Sequence, residues 1–79
     1  MNTEKLLIIT MEECGELIRA CSKILRHGEQ TKQLTNLKEE LADVVTMLIL
    51  LQEYFEISQD EMVALIDKRM TKMQDKDYT

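Results

Sequence analysis

Two acidic clusters, Glu12-Glu13-Cys14-Gly15-Glu16 and Glu39-Glu40-Leu41-Ala42-Asp43, hold the residues of this chain best suited to chemistry. Glu13 with Glu16, and Glu40 with Asp43, stand three apart, so on a helix each pair has Cβ atoms about 5–6 Å apart, and like charges at that spacing destabilise it. Glu40 and Asp43 share a helical sector with Met47, Leu50 and Leu51, while Glu13 borders the line of Leu6, Leu17 and Ile24. That register predicts acids at the edge of a packed face. Unpaired carboxylates there are costly or protonated unless a cation compensates them. Arg19, Lys23 and Arg26 lie on different faces of the first helix, and the second offers only Lys38 nearby. A hard divalent cation is the better partner, and donors that are all oxygen favour Mg²⁺, with Mn²⁺ as a substitute, over zinc. Two helices side by side, each with an acid pair, would form a four-carboxylate site suited to hydrolysing a nucleotide phosphoanhydride.

The same acids have a plainer reading. Acid pairs three apart are frequent on solvated faces, and Glu39 and Glu40 would favour the dipole if their helix started at Asn36. Gly15 weighs on the other side. A glycine inside a helix costs about 1 kcal/mol against Ala, so its place between Glu13 and Glu16 suggests close approach of a backbone or ligand.

The elements that must position these groups follow from periodicity. Leu7, Met11, Cys14, Ile18, Cys21 and Leu25 recur at spacings of four and three, which predicts one amphipathic helix from about Thr3 to His27, ended by Gly28. Asn36 and Glu39 resemble a capping box that opens a second helix running to about Glu56. Its expected core face is Leu37, Leu41, Val44, Val45, Leu48 and Phe55, with Met47, Ile49, Leu50 and Leu51 extending apolar surface almost around the cylinder. Ser58 and Glu61 form a better capping box, with Ile57 and Met62 as a hydrophobic staple, and start a third helix through Leu65, Ile66, Arg69, Met70 and Met73. The polar tail from Gln74 to Thr79 should fray.

Composition sets the outer limits. Seventy-nine residues make one domain, 1–79, with no linker or repeat, and no Pro and two Gly argue for an all-α fold. The expected architecture is a short helical bundle of about three main helices that completes its core by homo-oligomerisation, because a helix apolar all round must be covered on several sides. A formal charge of −5 argues against nucleic acid as a partner. No apolar run approaches the ~18 residues of a membrane span. Cys14 and Cys21, seven apart on the apolar stripe, read as unpaired small hydrophobes in a reducing cytoplasm. His27 reads as part of a helix C-terminus rather than a catalyst, and the few aromatics, Tyr54, Phe55 and Tyr78, leave base selectivity in any nucleotide site loose or unknown.

The strings MEECGELIRACSKILRHG and TNLKEELADVVTMLILL, with Glu13-x-x-Glu16 and Glu40-x-x-Asp43 inside them, resemble the MazG-like nucleoside triphosphate pyrophosphohydrolases of the all-α NTP pyrophosphatase superfamily. The likeness covers about Leu6 to Gln52. It implies a dimer or dimer-of-dimers tetramer, with Mg²⁺ held by Glu13, Glu16, Glu40 and Asp43. The implied reaction cleaves an NTP or dNTP between its α and β phosphates, giving nucleoside monophosphate and pyrophosphate. Water would be the nucleophile, with Glu12 or Glu13 orienting or deprotonating it. Lys23, Arg26, Lys68, Arg69 and Lys72 are the bases available to bind the phosphates. Two alternatives remain at this level: a phosphoribosyl-ATP pyrophosphohydrolase-like enzyme, and a non-catalytic helical oligomerisation or interaction module.

Overall fold

A computed structural model describes residues 2–75, and every described element is helical: α1 (Thr3–His27), α2 (Thr31–Tyr54) and α3 (Gln59–Asp75). The start of α1 is fixed by Asn2, whose side chain accepts a hydrogen bond from the Lys5 amide at 2.8 Å. Its end is fixed by Gly28, at φ 84°, whose amide donates to the Ile24 carbonyl at 2.7 Å. Arg26 and His27 occupy the last turn, where positive charge suits the dipole. The bounds, the Gly28 end and the basic last turn match the expected helix.

The start of α2 does not. The helix begins at Thr31 after an extended, side-chain-free cap at Gln30, so Asn36 lies inside it and the expected capping box is not formed. Nothing between Glu29 and Asn36 breaks a helix, and once a turn exists each further residue adds a hydrogen bond at little cost. One consequence reaches the acids. The first turn of α2 contains none, so Glu39 and Glu40 stand too far along to favour the dipole. At the other end the chain leaves α2 through Glu56, a non-glycine residue at φ 54°, with the Ile57 amide donating to the Gln52 carbonyl at 2.9 Å. The next capping box forms as read: the Glu61 amide donates to Ser58 Oγ at 3.1 Å, and the Ser58 amide to Glu61 Oε2 at 3.4 Å. Of the tail expected to fray, Gln74 and Asp75 are still helical, while residues 76–79, including Tyr78, lie outside the described part.

Helices α1 and α2 pack antiparallel along a seam whose buried residues are Leu6, Ala20, Val44 and Met47. Half-buried Leu17, Ile24, Leu37, Leu50 and Leu51 flank them. The stripe expected to be the α1 core points elsewhere: Met11, Ile18 and Leu25 are 72%, 70% and 89% exposed, and Cys21 is exposed while Cys14 is half-buried. The seam runs one residue out of register with that stripe, a rotation of about 100°. Likewise on α2, Leu41, Val45, Leu48 and Phe55 are exposed, and of the expected core face only Val44 is buried. Glu13, read as bordering the Leu6–Leu17–Ile24 line, and Glu40, read on the Met47–Leu50–Leu51 sector, are half-buried at the seam as that register put them, while Asp43 beside them is exposed.

Helix α3 packs on neither α1 nor α2 and is tied to α2 only at the turn, where Gln52 Nε2 donates to Gln59 Oε1 at 3.2 Å. Its Val63, Leu65, Ile66 and Met70 are exposed. The chain is a flat body of 39 × 35 × 16 Å with a radius of gyration of 15.0 Å. A compact domain of this length has a radius of ~12 Å. Its accessible surface is 6512 Å², where a folded monomer of this mass exposes about 5,000 Å², so about 1,500 Å² stands uncovered.

The two glycines separate cleanly. At Gly28 the positive φ makes any side chain strained, whereas a Cβ at Gly15 would meet nothing within 4 Å, so among the described residues no other element approaches it. Gly28→Ala should therefore lower the urea midpoint by an amount equivalent to about 1 kcal/mol. Gly15→Ala should raise it by a comparable amount, because it removes a helix-interior glycine without a clash.

Candidate functional site

The site lies where the antiparallel register brings the middle of α1 against the middle of α2. Glu13 comes from α1, and Glu40 and Asp43 come from neighbouring positions on α2. Each offers a carboxylate oxygen, and these oxygens all lie within 4.8 Å of one another. Glu13 and Glu40 are half-buried and Asp43 is exposed, so the cluster is open to solvent on one side. The concavity beside it, about 210 Å³, is lined by Glu13, Asp43, Thr46 and Met47.

The electrostatics are unfavourable for the bare protein. Partial burial pushes the Glu13 carboxyl above its ordinary range, and the charges of Asp43, Glu40, Glu16 and Glu12 push it further in the same direction. Glu40 Oε2 is buried with no hydrogen-bond partner among the described residues. No Lys or Arg answers the cluster: among the described residues the ion pair is Arg19 to Glu16, at 3.6 Å along α1. Three converging carboxylates, one with an orphaned oxygen, fit a hard divalent cation, which needs several oxygen ligands and would satisfy all three. Glu13, Glu40 and Asp43 are the residues that would hold it.

The other residues singled out by spacing fall around this centre. Glu16 stands one turn from Glu13, close enough to raise its pKa, but it is exposed and turned toward Arg19. Glu12 is exposed on the neighbouring face. Lys23 is half-buried and Arg26 exposed, ten and thirteen residues past Glu13, which is about 15 and 20 Å along the helix. Lys68, Arg69 and Lys72 sit on α3, which does not pack against the seam within one chain. Thr46 and Gln33 were not singled out. Thr46 lines the concavity, with its hydroxyl donated to the Ala42 carbonyl at 2.8 Å. Gln33 Oε1 is the second buried oxygen without a partner, and it is seven residues before Glu40 on the same helical line. The heptad line through Gln33, Glu40 and Met47 was available in the sequence as a signal for both seam polar groups.

A family model described as the MazG nucleotide pyrophosphohydrolase domain matches residues 1–77 of the chain. Comparison with curated proteins gives no match, and comparison with solved structures gives none either.

The raised pKa of Glu13 fixes the sign of a pH effect in metal-free protein. Between its ordinary and its raised value the folded state binds the proton that the unfolded state has lost, so folding stability falls as pH rises through that window. Glu13→Gln should melt higher than the parent at neutral pH in EDTA, and the gap should close below the ordinary carboxylate range. An unchanged gap at acid pH would show that the gain comes from something other than charge.

Proposed function

The chain belongs to the MazG nucleotide pyrophosphohydrolase family, and on that premise we propose that it hydrolyses nucleoside triphosphates, NTP or dNTP, to the monophosphate and pyrophosphate with Mg²⁺. The observation that carries the reading is the convergence of Glu13, Glu40 and Asp43 within 4.8 Å at a helix seam, with Glu40 Oε2 buried and unpaired. A solvated acidic face needs no such convergence, and the dipole explanation for Glu39 and Glu40 fails because α2 starts at Thr31. We assign Glu13, Glu40 and Asp43 as ligands, with Mn²⁺ as a possible substitute for Mg²⁺; Glu16, expected as a fourth ligand, is turned toward Arg19 and would join them only by leaving that ion pair. When bound, the cation would supply positive charge against the acids and the polyphosphate and polarise the phosphoanhydride.

The rest is done by the chain. Glu12 or Glu13 orients the attacking water or takes its proton. The water oxygen bonds to the α-phosphorus as the bond to the bridging oxygen breaks, and pyrophosphate leaves with the bridging oxygen. Lys23, Arg26, Lys68, Arg69 and Lys72 are the candidates for neutralising the phosphates. The last three reach a carboxylate site only if α3 is brought to one, and that is a role for a second copy of the chain. About 1,500 Å² of uncovered surface per chain is in the range an obligate dimer buries on each partner. The working unit is therefore one MazG-like domain, residues 1–79, assembled as a dimer or dimer-of-dimers tetramer. It acts in the cytoplasm, which suits two free thiols and a chain in which no described helix is long and apolar enough to cross a membrane.

Purified protein with Mg²⁺ should release pyrophosphate and a monophosphate from at least one NTP or dNTP, and chelation should stop it. Glu40→Gln and Asp43→Asn should each lose more than ~100-fold in turnover, beyond the usual cost of disturbing a residue that only supports a ligand. Full activity in both would exclude these ligands. Sedimentation at micromolar concentration should find no 9.3 kDa species; a stable monomer at that mass would remove the assembly.

A further inference from the structure

The α1–α2 seam carries a second open concavity in line with the first, about 300 Å³, lined by Leu6, Leu50, Glu53 and Tyr54. Leu6 is seven residues before Glu13 on α1, and Leu50 is seven after Asp43 on α2. The antiparallel pairing therefore offsets the two concavities by about 10 Å along one seam. We propose that this second concavity receives the base of the nucleotide whose phosphates lie at the carboxylates, and that it favours guanine. The inference rests on the hydrolase reading above and adds the choice of base.

The lining suits a base face and one base edge. Leu6 is buried and Leu50 half-buried, which gives an apolar floor. The Tyr54 ring is half exposed and held in place: its hydroxyl is hydrogen-bonded to that of Thr3, and Phe55 packs edge-on at 5.0 Å and 74°. A fixed aromatic ring at the mouth of an apolar pocket is a stacking platform. The polar groups nearby are mostly spent. The Thr10 hydroxyl donates to the Leu6 carbonyl and that of Thr46 to the Ala42 carbonyl, both at 2.8 Å, and that of Tyr54 is engaged by Thr3. The Glu53 carboxylate is left as the group that can read a base edge.

A carboxylate only accepts hydrogen bonds, and it accepts best from two parallel donors. Guanine presents such a pair, its ring N–H beside its exocyclic amine. Cytosine and adenine set one amine beside an acceptor nitrogen. Uracil and thymine set a single N–H between two carbonyls, which repel a carboxylate. The expected order is guanine first and uracil or thymine last, with a preference of roughly tenfold or more, the discrimination of a bidentate base contact.

The test compares kcat/KM for GTP, ATP, CTP and UTP with Mg²⁺ in the parent, Glu53→Gln, Tyr54→Leu and Tyr54→Phe. GMP and UMP titrations followed by NMR supply a reading independent of turnover. The parent should prefer GTP, Glu53→Gln should lose most of that preference, and Tyr54→Leu should weaken all four substrates about tenfold. Tyr54→Phe keeps the ring, loses only the bond to Thr3, and should keep the order. A merely structural effect of Glu53→Gln would lower all substrates together and leave the ratios alone. Turnover with no GTP preference, or with one that Glu53→Gln leaves intact, overturns the subsite and spares the hydrolase. Absence of turnover on every nucleotide overturns the hydrolase, and the titrations then decide the subsite: it stands if GMP rather than UMP shifts Tyr54, and falls otherwise.

Discussion

Repulsion among carboxylates at a packed seam is the constraint around which this small chain is organised. Glu13, Glu40 and Asp43 bring oxygens within 4.8 Å of one another, and among the described residues no cationic side chain is paired with them. Glu13 is worse placed than it would be on the outer face, because partial loss of solvent and the neighbouring charges both disfavour its ionised form. The apolar contacts on either side of the cluster must hold the helices together against this. Leu6 and Met47 lie on one side along α1 and α2, Ala20 on the other, and Val44 beside the acids, all buried. A small residue such as Ala20 keeps the backbones close, and long helices of 25 and 24 residues allow contact on both flanks of the acids. Locally unfavourable electrostatics retained at the centre of a packed contact is the pattern expected where stability is given up for a binding site.

The placement of α3 carries the second structural theme. A helix with Val63, Leu65, Ile66 and Met70 exposed and no packing partner within its own chain does not gain its stability from that chain. Helices of this length are marginal in water by themselves, and most of their stability in proteins comes from packing an amphipathic face. The bases of α3 and the outer stripe of α1 therefore belong to one question, what surface lies against them. The assembly proposed above answers both at once, since it covers the apolar area and offers a route for Lys68, Arg69 and Lys72 to a carboxylate site.

Much of the site was legible because helical phase is a local property. Glu13 bordering Leu6, Leu17 and Ile24, and Glu40 and Asp43 sharing a sector with Met47 and Leu50, follow from about 100° per residue and are the arrangement observed. Ser58 and Glu61 were legible for the same reason, since a capping box is closed within four residues. The failures are equally instructive. Asn36 and Glu39 have the spelling of a capping box, yet a cap forms only where the helix starts, and no breaker kept α2 from extending back to Thr31. The Leu7–Leu25 stripe is a real amphipathic face, but periodicity identifies an apolar face without naming what it faces. Here it is turned about 100° from the seam.

The sequence by itself determined that the chain is helical and which family it resembles: no Pro, two Gly and a 3.6-residue apolar period argue for helices, and the strings around Glu13-x-x-Glu16 and Glu40-x-x-Asp43 resemble the family whose model matches residues 1–77. Only the tertiary structure decided which face of each helix meets the other, that Glu13 rather than Glu16 joins Glu40 and Asp43, and that Cys21 and the α1 stripe stay outside. The physical reason is that both helices offer more apolar surface than one contact can bury. The choice among faces then rests on how two particular cylinders fit, at a seam able to carry three carboxylates, and that fit is not written in either helix alone.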